Sequence, residues 1–157
     1  MKTKNLPLAL VYILYDKVLC SNQISELFIG KDYNNRNIQK YLNELTNESV
    51  VNFVGIGLDK KYKKSKFFTT NKDVLADKII QDLKRRREED ESKAKELNAM
   101  SHNIQIPSSK DDALKYFLNQ FEVHRHHNEE KKAWYIYLGL VDSDGSFRTI
   151  AVLKKLP

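Results

Sequence analysis

The sequence predicts an α+β protein: a basic, helix-rich N-terminal part, a long connecting helix, and a small C-terminal module of one helix and an antiparallel β-hairpin. Three observations predict it. Apolar residues recur at helical spacing in three short segments before residue 46. Runs rich in β-branched and aromatic residues pair across turn-like stretches, 50–58 with 66–69 and 133–141 with 147–153. Between them a helical pattern runs from about residue 71 to 98. The expected divisions are 1–70, 71–100 and 109–157, with 100–108 a linker by composition ending in Ile106-Pro107-Ser108.

Composition narrows the class. With 157 residues, 41% hydrophobic and 31% charged, the chain has the make-up of a folded protein. The apolar run 6–14 is broken by Asp16 and Lys17 and falls short of the roughly 20 residues that cross a bilayer. No membrane role is expected, and the lack of a signal or transit pattern predicts a cytoplasmic location. A single cysteine, Cys20, allows no intramolecular disulfide and fits a small buried hydrophobe. The net charge of +6 is unevenly spread. Residues 1–70 hold 11 Lys/Arg against 6 Asp/Glu, and residues 71–157 hold 16 against 15. The excess positive charge therefore lies almost wholly in the N-terminal part, as expected where one face meets phosphates.

In chain order, Asn5 is placed to cap a first helix with Pro7 in its opening turn, and Leu10, Ile13, Leu14 and Val18 form its buried stripe. Ser21 or Asn22 caps a second helix that buries Ile24, Leu27 and Phe28 and ends at Gly30. After a polar turn at 31–34, a third helix runs to about Thr46. Its Ile38, Leu42 and Leu45 face inward, while Arg36, Asn37, Gln39, Lys40 and Asn43 face outward. Arginine bonds two acceptors of guanine at once, and asparagine or glutamine does the same for adenine, so this face suits a major groove. The strand at 50–58 bends at Gly55 and Gly57, and the loop after Asp59 gathers Lys60, Lys61, Tyr62, Lys63, Lys64 and Lys66 on a hairpin tip, placed to touch phosphates or lie over the minor groove.

This order of helix, helix, helix, strand, basic hairpin and strand over residues 6–70 resembles a winged helix-turn-helix domain of small bacterial, archaeal and phage regulators. The match is one of pattern. It implies that residues 35–46 are the recognition helix and that the partner is double-stranded DNA.

The helix after the hairpin splits in two. Val74, Leu75, Ile79, Ile80 and Leu83 form an apolar stripe that suits contact with a second copy, giving a homodimer, and equally suits packing on its own domain. Residues 84–91 offer no core face, only Lys/Arg and Asp/Glu four apart, each pair adding about 0.2–0.5 kcal/mol. Ser109 and Asp112 make a capping box for a helix carrying Ala113, Leu114, Phe117, Leu118 and Phe121. Its end is open, because residues 121–126 also alternate like a strand. The hairpin of 133–141 and 147–153 around Asp142-Ser143-Asp144-Gly145-Ser146 is apolar on both faces. One face is expected to meet the helix at 109–121. The other is expected to meet a protein partner, the long helix or another copy. Trp134 lies on one face with Ile136, Leu138 and Leu140, Tyr135 and Tyr137 lie on the opposite one, and all three are expected partner contacts.

Histidines 124 and 126 would share a strand face, but no cysteine or acid completes a metal site at the right spacing, and Asp142, Asp144 and Gly145 are explained by a turn rather than a calcium loop. No cofactor motif or catalytic arrangement is present, so no enzyme, metal or cofactor is expected. The sequence thus predicts a sequence-specific DNA-binding protein, most simply a dimeric transcriptional regulator. The alternative is a phage or plasmid accessory protein, in replication, partition or inhibition of host defence, with 109–157 as effector.

Overall fold

A computed structural model describes residues 5–30, 33–59, 63–100, 104–142 and 144–157. Among these residues the chain is mixed α+β, with five helices and two three-stranded antiparallel sheets. Its contacts divide into two units, Met1–Asn71 with Gln120–Pro157, and Lys72–Asn119.

The first unit is built on α1 (Leu6–Ile13), which carries no charged side chain and buries Leu6, Ala9, Leu10, Val11 and Ile13. A helix apolar on every side must be covered on every side. Pro7 sits in its first turn as expected, but Asn5 makes no side-chain cap bond. The helix is shorter than its apolar pattern. The carbonyl of Leu14 accepts the N–H of Thr70 at 3.1 Å and the hydroxyl of Thr69 at 3.3 Å, and that of Val11 accepts the Thr70 hydroxyl at 2.9 Å. The last turn is thus closed by tertiary bonds, Val18 is exposed, and Leu19–Cys20 leaves the helix to form strand β1. Cys20 is fully buried.

Helix α2 (Ser21–Ser25) starts at once, with the Gln23 side chain accepting the Cys20 N–H at 3.1 Å. It ends well before Gly30, which stands outside any helix at φ 127°. Ile24, Leu27 and Phe28 are buried as expected, but the last two lie beyond the helix. Helix α3 (Asn35–Asn47) is capped by Asn34, whose side chain accepts the Asn37 N–H at 2.9 Å, and it buries Ile38, Leu42 and Leu45. Strands β2 (Val51–Leu58) and β3 (Lys64–Thr70) follow. With β1 they form a sheet of order β1-β3-β2, which makes β2 an edge. A bulge between Phe53 and Gly55 kinks that edge.

Strands β4 (Phe121–Asn128), β5 (Ala133–Val141) and β6 (Phe147–Leu153) form the second sheet in that order. Residues 121–128 are therefore strand, not helix. The β5–β6 turn closes through the Asp142 N–H on the Ser146 carbonyl at 2.8 Å, with Gly145 at φ 86°. Asp144 accepts the Ser146 N–H at 2.9 Å, which holds its carboxyl below its ordinary pKa. That bond stabilises the turn above the ordinary carboxylate pKa and is lost as pH falls through the lowered one. Residue Gly139 is required by close approach: a Cβ there would lie 2.5 Å from the Arg148 carbonyl and 2.6 Å from the Phe147 ring.

The buried face of this sheet was expected to meet the helix at 109–121. Instead the sheet belongs with the N-terminal elements. Phe121 packs on Tyr12 with ring centroids 4.4 Å apart, and Phe28 bridges to Leu153. The N–H of Ile29 reaches the Val152 carbonyl at 2.9 Å, and that of Lys154 the Leu27 carbonyl at 2.7 Å. Edge strand β6 finds its partner in the segment that follows α2, which a pattern confined to residues 109–157 does not reveal.

The second unit pairs α4 (Lys72–Glu96) with α5 (Lys110–Asn119), which pack on each other. The Ser109 hydroxyl accepts the Asp112 N–H at 3.1 Å, as the capping box predicts. Lys110 lies 3.9 Å from Asp73 and 3.8 Å from Asp77. In the charged stretch Arg85 donates to Asp82 at 2.8 Å and to Glu89 at 2.7 Å, which raises its pKa, and Arg86 joins Asp82 at 3.0 Å. The acid-before-base pairs on Asp82 are the better ordered ones for a helix. Leu75 and Leu83 are already buried within the chain, and Val74, Ile79 and Ile80 are half-buried. The stripe expected to meet a second copy therefore has little free surface at its centre. Among the described residues no helix is long and apolar enough to cross a membrane.

Leu10→Ala, at a fully buried position of α1, is expected to cost about 2–5 kcal/mol. Urea unfolding followed by fluorescence of Trp134, the chain's single tryptophan, should show the loss, because its sheet shares a core with α1. A sheet that unfolded independently would keep its wild-type midpoint.

Candidate functional site

The N-terminal unit leaves a polar hollow between α3 and the β2–β3 hairpin. The core face of α3 is spent on Ile38, Leu42 and Leu45, so its next flank, Asn35, Gln39, Asn43 and Thr46, borders the hairpin at spacings of four, four and three. One part of the hollow, about 270 Å³, is lined by Asn35 and Gln39 from α3, Ser21 and Asn22 from α2, and Lys64, Ser65 and Lys66 from β3. An adjoining part of about 190 Å³ is lined by Asn43, Thr46, Lys66, Phe53 and Phe68. Phe53 and Phe68 are cross-strand partners with ring centroids 6.0 Å apart, and they form an apolar floor.

The hairpin is fastened by Asp59, 7% exposed despite its charge. One carboxylate oxygen accepts the Lys63 N–H at 3.0 Å, the other the Ser65 hydroxyl at 3.2 Å and the Asn22 side-chain amide at 3.4 Å. The Asp59 N–H returns to the Lys63 carbonyl at 3.0 Å. A buried carboxylate is tolerable only when its lone pairs are bonded in this way. It ties the base of a lysine-rich loop to the start of α2, so the basic hairpin is held at a set distance from α3.

Of the expected base-reading residues, Arg36, Gln39, Lys40 and Asn43 are exposed, with Gln39 and Asn43 in the hollow and the Lys40 ammonium 5.5 Å from the Tyr41 ring. Asn37 is half-buried, and at about 100° per residue it stands about 160° around α3 from Gln39. It stands away from Gln39 and Asn43 and the hollow, but only about 60° from Lys40. Among the expected phosphate contacts, Lys63, Lys64 and Lys66 are exposed, and Lys64 and Lys66 line the hollow. Among the described residues neither Lys64 nor Lys66 forms an ion pair. Lys60, Lys61 and Tyr62 lie outside the described residues. The sequence reading passed over Asn35, Thr46, Ser65 and the two phenylalanines. The i, i+4 and i, i+3 spacings that run through Gln39 and Asn43 signal the first two, but nothing local signals which β3 side chains face α3.

The C-terminal sheet sets its histidines against rings. His124 stacks on Phe147 at 3.8 Å, and His126 and His127 meet Tyr137 and Trp134 edge-on, each at 5.3 Å. His124 Nε2 is 3.6 Å from Glu122, and His127 Nδ1 is 3.3 Å from Glu129. Among the described residues no group of three or more metal-ligating side chains converges. Trp134 is 62% exposed, while Tyr135 and Tyr137 are half-buried.

No family model, no curated protein and no solved structure matches the chain. The functional reading therefore rests on residues and geometry.

Asp59→Ala is expected to destabilise the protein by about 1–3 kcal/mol, since donors built to meet the carboxylate lose it. Hydrogen exchange should show faster opening at the Lys63 amide than at Ile38 in α3. Unchanged protection at Lys63 would mean that the carboxylate does not fasten the hairpin.

Proposed function

We propose that residues 6–70 act as a winged helix-turn-helix domain that binds double-stranded DNA, most simply as a transcriptional regulator. The observation that carries this reading is the hollow itself. Amide side chains of α3 that suit base edges face Lys64 and Lys66 of the hairpin across a gap held by the buried Asp59 carboxylate. In this reading α3 enters the major groove with Arg36, Gln39, Lys40 and Asn43 toward base edges. Lys63, Lys64 and Lys66 hold the flanking phosphates, in keeping with the excess positive charge of residues 1–70. Asn37, half-buried and away from the hollow, is assigned no base. The rival accessory-protein reading has less support, because its effector would be a module at 109–157, and the strands of that module share a core with α1.

Selection of bound fragments from a random duplex pool tests the proposal directly, and a two-fold selected site would point to two copies bound. On the selected site Gln39→Ala or Asn43→Ala should cost about 1–3 kcal/mol and relax preference at one position. Lys66→Ala should weaken every duplex alike and reduce the slope of log K against log salt by about 1. Absence of any duplex binding at low salt would overturn the proposal.

A further inference from the structure

The sheet edges of this chain are guarded unequally. A strand at an edge shows a row of N–H and C=O groups that can pair with another chain, and bulges, short strands, lysine, proline or a covering segment prevent it. In the first sheet β1 is two residues long, and β2 is broken by the bulge between Phe53 and Gly55. In the second sheet the β6 edge is covered, since Ile29 donates to Val152 and Lys154 donates to Leu27. Among the described residues the opposite edge, β4, has no such device. It runs for eight residues without lysine, proline or glycine, and it meets β5 in eight consecutive pairs with no bulge.

The hydrogen-bond alternation says which backbone groups point out. The Val141 N–H donates to the Gln120 carbonyl at 2.8 Å, which makes these two a hydrogen-bonded pair. Bonded and non-bonded pairs alternate along an antiparallel ladder. Glu122, His124 and His126 therefore turn their backbone groups toward β5, and Val123, Arg125 and His127 turn theirs outward. Carried across the sheet, the same alternation places Val152 and Lys154 on the outer side of β6, where Ile29 and Leu27 meet them. Among the described residues nothing bonds to the outward backbone of Val123, Arg125 or His127.

The side chains of β4 select the occupant. A second copy would pair with it about a two-fold axis perpendicular to the sheet, and the axis must fall on a residue, because opposed side chains share a face. With the axis on His124, Val123 bonds to Arg125 of the second copy, and His127 falls opposite Phe121, within the strand. Glu122 then stands opposite His126 of the second copy, an acid against an imidazole that can donate to it. An axis on Arg125 would set two guanidiniums face to face, and an axis on Val123 would leave His127 opposite Asn119, outside the strand. Pairing would also stop at two copies, because the β6 edge is already taken. We propose that two copies of this chain join edge to edge through β4, antiparallel about His124, in one six-stranded sheet of order β6-β5-β4-β4-β5-β6. The proposal rests on the second sheet and stands apart from the DNA-binding reading.

The test uses the full chain in the absence of DNA. Sedimentation equilibrium at micromolar concentration should show a dimer. Arg125→Pro removes an outward N–H and no bond to β5, and it should weaken the dimer about tenfold or more. His126→Glu leaves the backbone untouched and sets two acids opposite each other. It should weaken the dimer about tenfold, and adding Glu122→Lys should restore it. Cysteines read the axis. At His124 the two copies meet in a non-bonded pair with Cα atoms about 4.5 Å apart, which suits a disulfide. His124→Cys should therefore give a covalent dimer on mild oxidation and His126→Cys should not, while Cys20 stays buried. A wild-type monomer, a dimer untouched by both Arg125→Pro and His126→Glu, or a crosslink at position 126 in place of 124 would overturn the proposal. Duplex binding by a wild-type monomer would overturn it and leave the DNA-binding reading standing.

Discussion

The N-terminal and C-terminal thirds of the chain depend on one constraint, the need to cover an eight-residue helix that has no polar side. Leu6, Leu10 and Leu14 are fully buried at and around α1, and neither the helices of the N-terminal part nor the first sheet can enclose them alone. The second sheet completes the enclosure. Strand β6 contacts α1, Tyr12 lies against Phe121, and the backbone beyond α2 pairs with Leu153. At roughly 25 cal/mol per Å² of apolar surface removed from water, the burial of such a helix outweighs any single polar contact in the unit. The same helix end supplies carbonyls for Thr69 and Thr70, so the sheet that carries the basic hairpin is anchored to it as well.

This arrangement explains why the proposed DNA-facing surface is rigid where it needs to be. The flank of α3 is set by Ile38 and Leu42 on the core, the hairpin base by Asp59 and Asn22, and the hairpin floor by the Phe53–Phe68 pair. Only the outer part of β2 stands away from these supports. That its exposed residues are aliphatic rather than charged is the feature least expected of a lysine-rich hairpin. Lys64, Lys66, Ile56 and Leu58 set two cations beside two aliphatic side chains across the β2–β3 pair.

Much of the local structure was legible. The third helix, its buried triplet, the strands 133–141 and 147–153 and the capping box at Ser109 all follow from periodicity and side-chain chemistry that act within a few residues. The misreadings share a cause. Val18, Leu19 and Cys20 continue a helical pattern, yet β3 offers Leu19 and Cys20 a sheet partner in Phe68 and Phe67, and Leu14 a cap in Thr70. Phe121 fits the stripe of the preceding helix, yet eight consecutive pairs with β5, from Leu140 to Ala133, hold it and the residues after it as strand. Asn37, half-buried, stands about 160° around α3 from Gln39 and so away from the hollow.

What the sequence by itself determined is therefore the inventory: an apolar first helix, an amide-rich helix face, a lysine-rich hairpin, a charged helix and a C-terminal β-hairpin. Periodicity, capping and turn chemistry act over short stretches and survive in any context. What only the tertiary structure decided is partnership. It joined the last 38 residues, Gln120–Pro157, to the first 71, buried Asp59 beneath the lysines, and turned Ile56 and Leu58 to the same side as Gln39. Each of these rests on residues far apart in the chain sharing one surface, and the physical reason is the same throughout. An apolar face specifies that it must be covered, but not by what.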